Sequence, residues 1–360
     1  MTPKEAINQL ETPKGRWGKI LATTPIVMTV LATVFAGLSS SEMTQAMFHR
    51  SLASQQQSKA GDQWAFFQAK RIRGTTLEAN IELLQTLAHA SSINPKLLQV
   101  TLDQLSGSIQ SSKLAAKDKE QAQAKLIALK EKLASLTEAE MDKHWSMLTG
   151  GSLPKLDAAR LDDAAMQKQL DTALESIAQK KNEDEIYLQV KPLPSAIIEK
   201  ATHLAERTSE QFTQLCDPTA EFGKRLKAWL LQADSFNQSL REQWPQIETD
   251  RQYPAELLSR QIAGGRVALN DFDARRYRQE SFYNRKVAEL YEVRVWRSGM
   301  ESDRHRNRSQ LFFYSMLVAQ IGVTISSLAL AQAKRSALWF VAAFAGLVAL
   351  GFSAWVYLTA

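Results

Sequence analysis

The chain has 360 residues, 23% of them charged and 8% aromatic, with a formal charge of +6. Its single cysteine, Cys216, excludes an intramolecular disulfide framework. The positive surplus comes without an aromatic-interleaved groove or a nucleic-acid motif, so no nucleic-acid partner is expected.

Residues 1–19 form a basic tail with Lys4, Lys14, Arg16 and Lys19. Residues 20–38 then carry no charge. About 20 apolar residues suffice for a helix to cross a bilayer core. Val34-Phe35-Ala36 also suits a signal-peptidase site. The apolar core is too long for a usual signal peptide, so a retained helix is expected. Small residues recur at fourth positions, as Ala32, Ala36 and Ser40 and as Thr29, Thr33 and Gly37. Such spacing permits close helix contact in a membrane.

Residues 39–92 read as a helix leaving the membrane. Its centre, Ser54 to Lys59, is polar on every face, and its second half gains Trp64, Phe67, Ile81, Leu84 and Leu87. Trp64, Phe67 and Arg71 share one helix face, and Gln68 and Lys70 can hydrogen-bond a partner. Packing against the later basic helix is the expected role; ligand binding by Trp64 and Gln68 is the other reading.

Residues 93–245 read as a helical domain. Asn94-Pro95 precedes an apolar face of Leu97, Leu98, Thr101, Leu102, Leu105 and Ile109. Ala122, Leu126, Leu129, Leu133 and Leu136 repeat in a 4-3-4-3 pattern, a seam for another helix. Thr149 to Pro154 predicts a turn, and Leu161, Ala165, Leu170, Ala173 and Ile177 the next amphipathic helix. Ile186 to Val190 is the one short run that reads as extended. Asp217-Pro218 predicts a helix start, with a carboxylate cap and proline at the first position. Cys216 shares an apolar stripe with Phe212 and Leu215, which predicts burial.

Residues 246–310 return the chain to the membrane. A helix is expected from Pro254 to Ala331, with a weak point at Gly264-Gly265. Arg266 to Arg308 holds 11 basic against 7 acidic residues. Arg304, Arg306 and Arg308 adjoin the next apolar run and signal topology or lipid-headgroup contact. Residues 311–331 and 337–358 are apolar and joined by a turn that holds Lys334 and Arg335, which predicts an antiparallel membrane hairpin. Trp339, Trp355 and Tyr357 suit its interfaces. Gln320 is the only amide in the three runs, which hold no Asp, Glu, Lys, Arg or His. An interhelical hydrogen bond is its expected role. With Thr324 and Ser327 it supplies the thin polar stripe that a pore would need.

The tail and the hairpin turn lie on one side of the membrane. Their basic residues place that side in the cytoplasm and the large domain outside, in the periplasm of an inner-membrane protein. None of His49, His89, His144, His203 and His305 has zinc-motif spacing, and Glu140 with His144 reads as a solvated pair. No phosphate loop, nucleophile elbow or kinase signature occurs. A non-enzyme without cofactor or metal is expected.

The run Asp62-Gln63-Trp64-Ala65-Phe66-Phe67-Gln68-Ala69-Lys70 resembles the tryptophan-aromatic-glutamine-alanine-lysine signature of the bacterial domain of unknown function 4337 family. The resemblance implies an N-terminal membrane helix, a charged helix, and a C-terminal membrane hairpin with a basic turn. It covers residues 16–90 and 250–358, with the intervening stretch as an inserted helical domain. It implies architecture and no activity.

The expectation is therefore an all-α, multi-pass protein with three transmembrane helices and an extramembrane helical bundle and stalk. It would form a homo-oligomeric scaffold among membrane lipids. The alternatives are an oligomeric channel or membrane-permeabilising effector, and a ligand-binding membrane sensor.

Overall fold

A computed structural model describes residues 16–138, 141–156, 160–243, 254–331 and 337–359. The described residues are predominantly helical and contain no strand. The helices are α1 (Arg16–Leu87), α2 (Pro95–Ser111), α3 (Ala116–Leu136), α4 (Asp142–Leu148), α5 (Ala164–Ala178), α6 (Glu183–Val190), α7 (Ser195–Gln243), α8 (Pro254–Ala331) and α9 (Ala337–Thr359). α1, α8 and α9 contain stretches long and apolar enough to cross a membrane. The chain divides into two compact units. One comprises Met1–Ser58, Gln169–Ser195 and Tyr291–Ala360; the other comprises Lys59–Lys168 and Ala196–Leu290.

The second unit holds a conventional helical core. Asn94 caps α2 by accepting from the backbone of Lys96 and Leu97 at 2.9 and 3.4 Å, with Pro95 in the first turn. α2 then buries Leu98, Leu102, Leu105 and Ile109, and α3 buries its whole 4-3-4-3 seam. Each such side chain contributes roughly 1.5–3 kcal/mol on leaving water. Two indoles key the core polar groups. Trp145 Nε1 donates to the carbonyl of Leu136 at 2.7 Å, and Trp229 Nε1 to that of Leu129 at 2.9 Å. Leu258, Ile262 and Phe272 of α8 complete the same core. The structural division therefore does not follow the 93–245 boundary read from sequence, because α8 shares its apolar face with α2, α3 and α7. Arg275 fastens α8 to the end of α4 through the carbonyls of Gly151 and Met147, at 2.7 and 2.9 Å. Gly150 beside it holds φ +99°, which suits glycine in this turn.

Three local expectations are corrected here. Ile186 to Val190 is helical, within α6, and not extended. Asn182 caps α6 through the Glu185 amide at 2.8 Å, and three acidic residues occupy its first turn. Ile186 and Val190, one turn apart, are both buried. Second, no helix starts at Asp217-Pro218; α7 runs through Pro218. Phe212, Cys216, Thr219, Phe222 and Leu226 form one continuous buried face across it. Their burial outweighs the interior-proline cost of about 3 kcal/mol. Third, Gly264-Gly265 does not interrupt α8. A Cβ on Gly264 would lie 1.7 Å from the Ser91 carbonyl oxygen, so the glycine serves a close crossing of the 88–94 connection.

In the first unit, α1, α8 and α9 form a three-helix bundle through their apolar stretches. Met28, Ala32 and Phe35 of α1 are buried, as are Ala319 of α8 and Ala349 of α9. Met28 lies where a Cβ on either Gly322 or Gly346 would clash with it, so all three helices meet at that level. Serines close one end. Ser39 Oγ donates to the Ser309 carbonyl at 3.0 Å, and Ser309 Oγ to the Ser39 carbonyl at 2.8 Å. At the other end Trp339 Nε1 donates to Thr24 Oγ1 at 3.1 Å. The start of α9 and the start of the α1 apolar run thus share one end of the bundle.

Candidate functional site

Gln320 is exposed on α8, within one turn of the Gly322–Met28 crossing. Its side chain makes no hydrogen bond among the described residues, so the expected contact is not made within the bundle. Thr324 and Ser327 share its outward face. Their hydroxyls donate to carbonyls of their own helix, at 3.1 Å to Gln320 and 2.8 Å to Val323. The carboxamide of Gln320 is therefore the polar group left over at this depth. In hydrocarbon such a group is costly unless another protein group meets it.

Beyond the serine closure, α1 and α8 are joined by polar pairs. Ser302 Oγ donates to the Ala46 carbonyl at 2.8 Å, and Ser298 Oγ to Gln56 Oε1 at 2.9 Å. On either side of the Ser302–Ala46 pair lies a charged cluster that sequence spacing does not reveal. His305 Nδ1 sits 2.6 Å from Glu42 Oε2, and His49 Nδ1 3.1 Å from Glu301 Oε2. The two imidazoles stack at 5.4 Å. Arg308, the innermost of the three predicted headgroup arginines, is half-buried and turned onto Glu42 at 3.5 Å. Arg304 and Arg306 are exposed. Lys334 and Arg335 lie outside the described residues, as does Glu140.

The tryptophan motif belongs to the second unit. Trp64 and Phe67 are half-buried and meet edge to face at 5.5 Å. Gln68 and Arg71 are exposed. Lys70 reaches α8. It pairs with Glu280 and lies 4.8 Å over the ring of Tyr277. Gly74 lets the helices approach, with a Cβ there 3.6 Å from the Ala274 carbonyl oxygen. Glu280 is buried and also accepts from Arg276 at 2.7 Å. Burial works against the charge of Arg276, but the bond and charge of Glu280 outweigh it and hold its pKa above the usual value.

One turn away, Asp273 lines a cleft of about 610 Å³ with Leu83, Leu231, Lys227 and Leu269. Burial pushes its carboxyl up from 3.8, against the opposing pull of Arg276. The residue is not visible as special in sequence, because its environment comes from α1, α7 and α8 together. Burial also pushes the Cys216 thiol up to about 11, which suits packing and not nucleophilic chemistry. Among the described residues, no three His, Cys, Asp or Glu side chains are grouped to hold a metal.

The run Asp62 to Lys70, on which the sequence resemblance rests, lies within the continuous helix α1. Residues 17–149 match the family described as Domain of unknown function (DUF4337). The match supports the resemblance read from the tryptophan motif. It takes in α1 to α4 and ends where α4 ends, before Gly150. The DUF4337 stretch thus runs through residues 95–149, which the sequence reading assigned to an insertion, and stops short of residues 250–358. No curated protein and no solved structure matches the chain.

Proposed function

We propose that this membrane protein is a non-enzymatic scaffold that assembles from copies of itself through its membrane bundle. The observation that carries the reading is the exposed Gln320 carboxamide at the level of the Met28 crossing. Lipid tails offer it no hydrogen bond. A second copy in the same membrane carries the same group at the same depth. An amide pair between copies satisfies both. The exposed Ile321, Leu328 and Phe313 on neighbouring turns of α8 extend the contact.

The inner membrane of a bacterial cell, with the helical domain outside the cytoplasm, is the setting this reading takes. Six basic residues on the tail and the hairpin turn support it. A second reading, a channel, is favoured by one feature: Gln320, Thr324 and Ser327 face outward together. Copies arranged with this face inward would line a polar path.

The test is the mass of the complex in nanodiscs. The wild-type chain should give a multiple of the 40.3 kDa protomer, and Gln320→Leu should shift the distribution toward monomer. A wild-type monomer would sink the scaffold. Wild-type conductance across a planar bilayer, abolished by Gln320→Leu, would favour the channel.

A further inference from the structure

We infer that the cleft formed by α1, α7 and α8 around Asp273 binds a short apolar peptide with free termini, its ammonium on Asp273 and its carboxylate on Lys227. The cleft encloses about 610 Å³. Small-molecule sites typically span about 300–1,000 Å³, with mostly apolar walls and a few polar groups. Leu83 comes from α1, Leu231 from α7 and Leu269 from α8. Leu83 and Leu231 are each 56% exposed, so apolar surface on two of the three helices is left uncovered.

Charge selects the occupant. Lys224 is paired with Glu221, Arg266 with Asp234, and both Arg276 and Lys70 with Glu280. Asp217 is exposed at the rim and is not among the charges that act on Asp273. Two opposite charges remain. Asp273 is half-buried and makes no hydrogen bond or ion pair among the described residues. Lys227 is exposed and near enough to draw on the Asp273 charge, yet no ion pair joins them.

A lone cation on Asp273 would add to the positive field of Arg276 and Lys227. A lone anion on Lys227 would meet Asp273. A zwitterion satisfies both groups and leaves the net charge of the cleft unchanged. The carboxamides of Asn80 and Asn270 line the same cleft and make no side-chain hydrogen bond among the described residues. They offer donors and acceptors to peptide groups. The leucines then take the apolar side chains of the ligand. Burial disfavours the Asp273 charge, and an ammonium partner offsets that cost. This inference does not depend on assembly.

The test is calorimetric titration of full-length protein in phosphatidylcholine nanodiscs, with lipid-only nanodiscs as the blank. Trileucine should fill one saturable site per chain. Triglycine, with the same termini and no apolar side chains, should bind at least about tenfold more weakly. N-acetyltrileucine on the wild-type chain, and trileucine on Asp273→Asn, should each bind about tenfold more weakly, the scale of a hydrogen bond to a charged group. Trileucine amide, and trileucine on Lys227→Gln, should lose less, because water screens the exposed Lys227. On Asp273→Asn, acetylation should bring no further loss. The modified peptides probe both termini on wild-type protein, so the result does not hang on a variant's folding. Absence of saturable trileucine binding, equal binding of triglycine, or an acetylation penalty that persists in Asp273→Asn overturns the site.

Discussion

Lys70 and Trp64 sit in one motif yet differ in what they hold. Lys70 reaches the buried Glu280, which also binds Arg276. Glu280→Leu strands two cations in a confined site and should cost about 3 kcal/mol of unfolding free energy. Trp64→Ala removes a half-exposed ring and should cost about 1 kcal/mol, less than a fully buried tryptophan would. Denaturant titration of both variants decides the ranking; the reverse order would place the anchor at Trp64. Asp273 makes a second prediction. Burial raises its folded carboxyl above the ordinary 3.8, so the folded chain holds that proton more tightly than the unfolded chain. Its stabilising contribution is complete below 3.8 and is lost as pH rises through the raised value. Asp273→Asn should therefore melt higher than wild type at neutral pH, with the gap closing on acidification. A gap that widens in acid would contradict the assignment.

Helices in this chain are decided by faces as much as by local breakers. Pro218 and the Gly264-Gly265 pair lie inside α7 and α8, and neither interrupts its helix. At Pro218 the buried face continues on both sides. At Gly264 the missing Cβ makes room for the Ser91 carbonyl, whose own amide donates to the Arg260 carbonyl at 3.3 Å. Gly264→Ala improves helix propensity by about 1 kcal/mol but forces the backbone at Ser91 to move. Overpacking against backbone should dominate and cost about 1–3 kcal/mol or more. Melting of Gly264→Ala below wild type is the expected result, and a higher melting temperature would mean that the 88–94 connection yields freely. The contrast with Gly322 is instructive. There the obstructing atoms belong to the flexible Met28 side chain, which can turn away.

At the scale of the whole molecule, the question is sidedness. Trp339 meets Thr24, so the beginnings of α9 and of the α1 apolar run share an end of the bundle. The short-loop charge rule predicts that this end faces the cytoplasm. Cysteines at Lys14 and Lys334, on a Cys216→Ser background, should resist an impermeant thiol reagent in intact cells. Modification of both before lysis would reverse the topology. Assembly is best tested by Gln320→Leu and not by removing residues 93–245. Leu258, Ile262 and Phe272 of α8 share a core with that segment, and its removal would bare them.

The membrane class and all-α character follow from the sequence by itself. A long uncharged run has few options in hydrocarbon, because a helix satisfies every backbone group internally. The Asn94-Pro95 cap and the buried α3 seam are equally local, since a cap spans three residues and a heptad pattern repeats within one helix. The tryptophan motif likewise pointed to the family match over residues 17–149. Tertiary structure alone decided which polar residues turn inward. Gln68 and Lys70 are both long polar side chains on α1, and Lys70 is the inner one because Glu280 and Tyr277 of α8 lie opposite it. His305 and Glu42 stand 263 residues apart and meet only because α1 and α8 pack side by side. Periodicity records which face of a helix is apolar. It carries no record of which distant charge faces a given one.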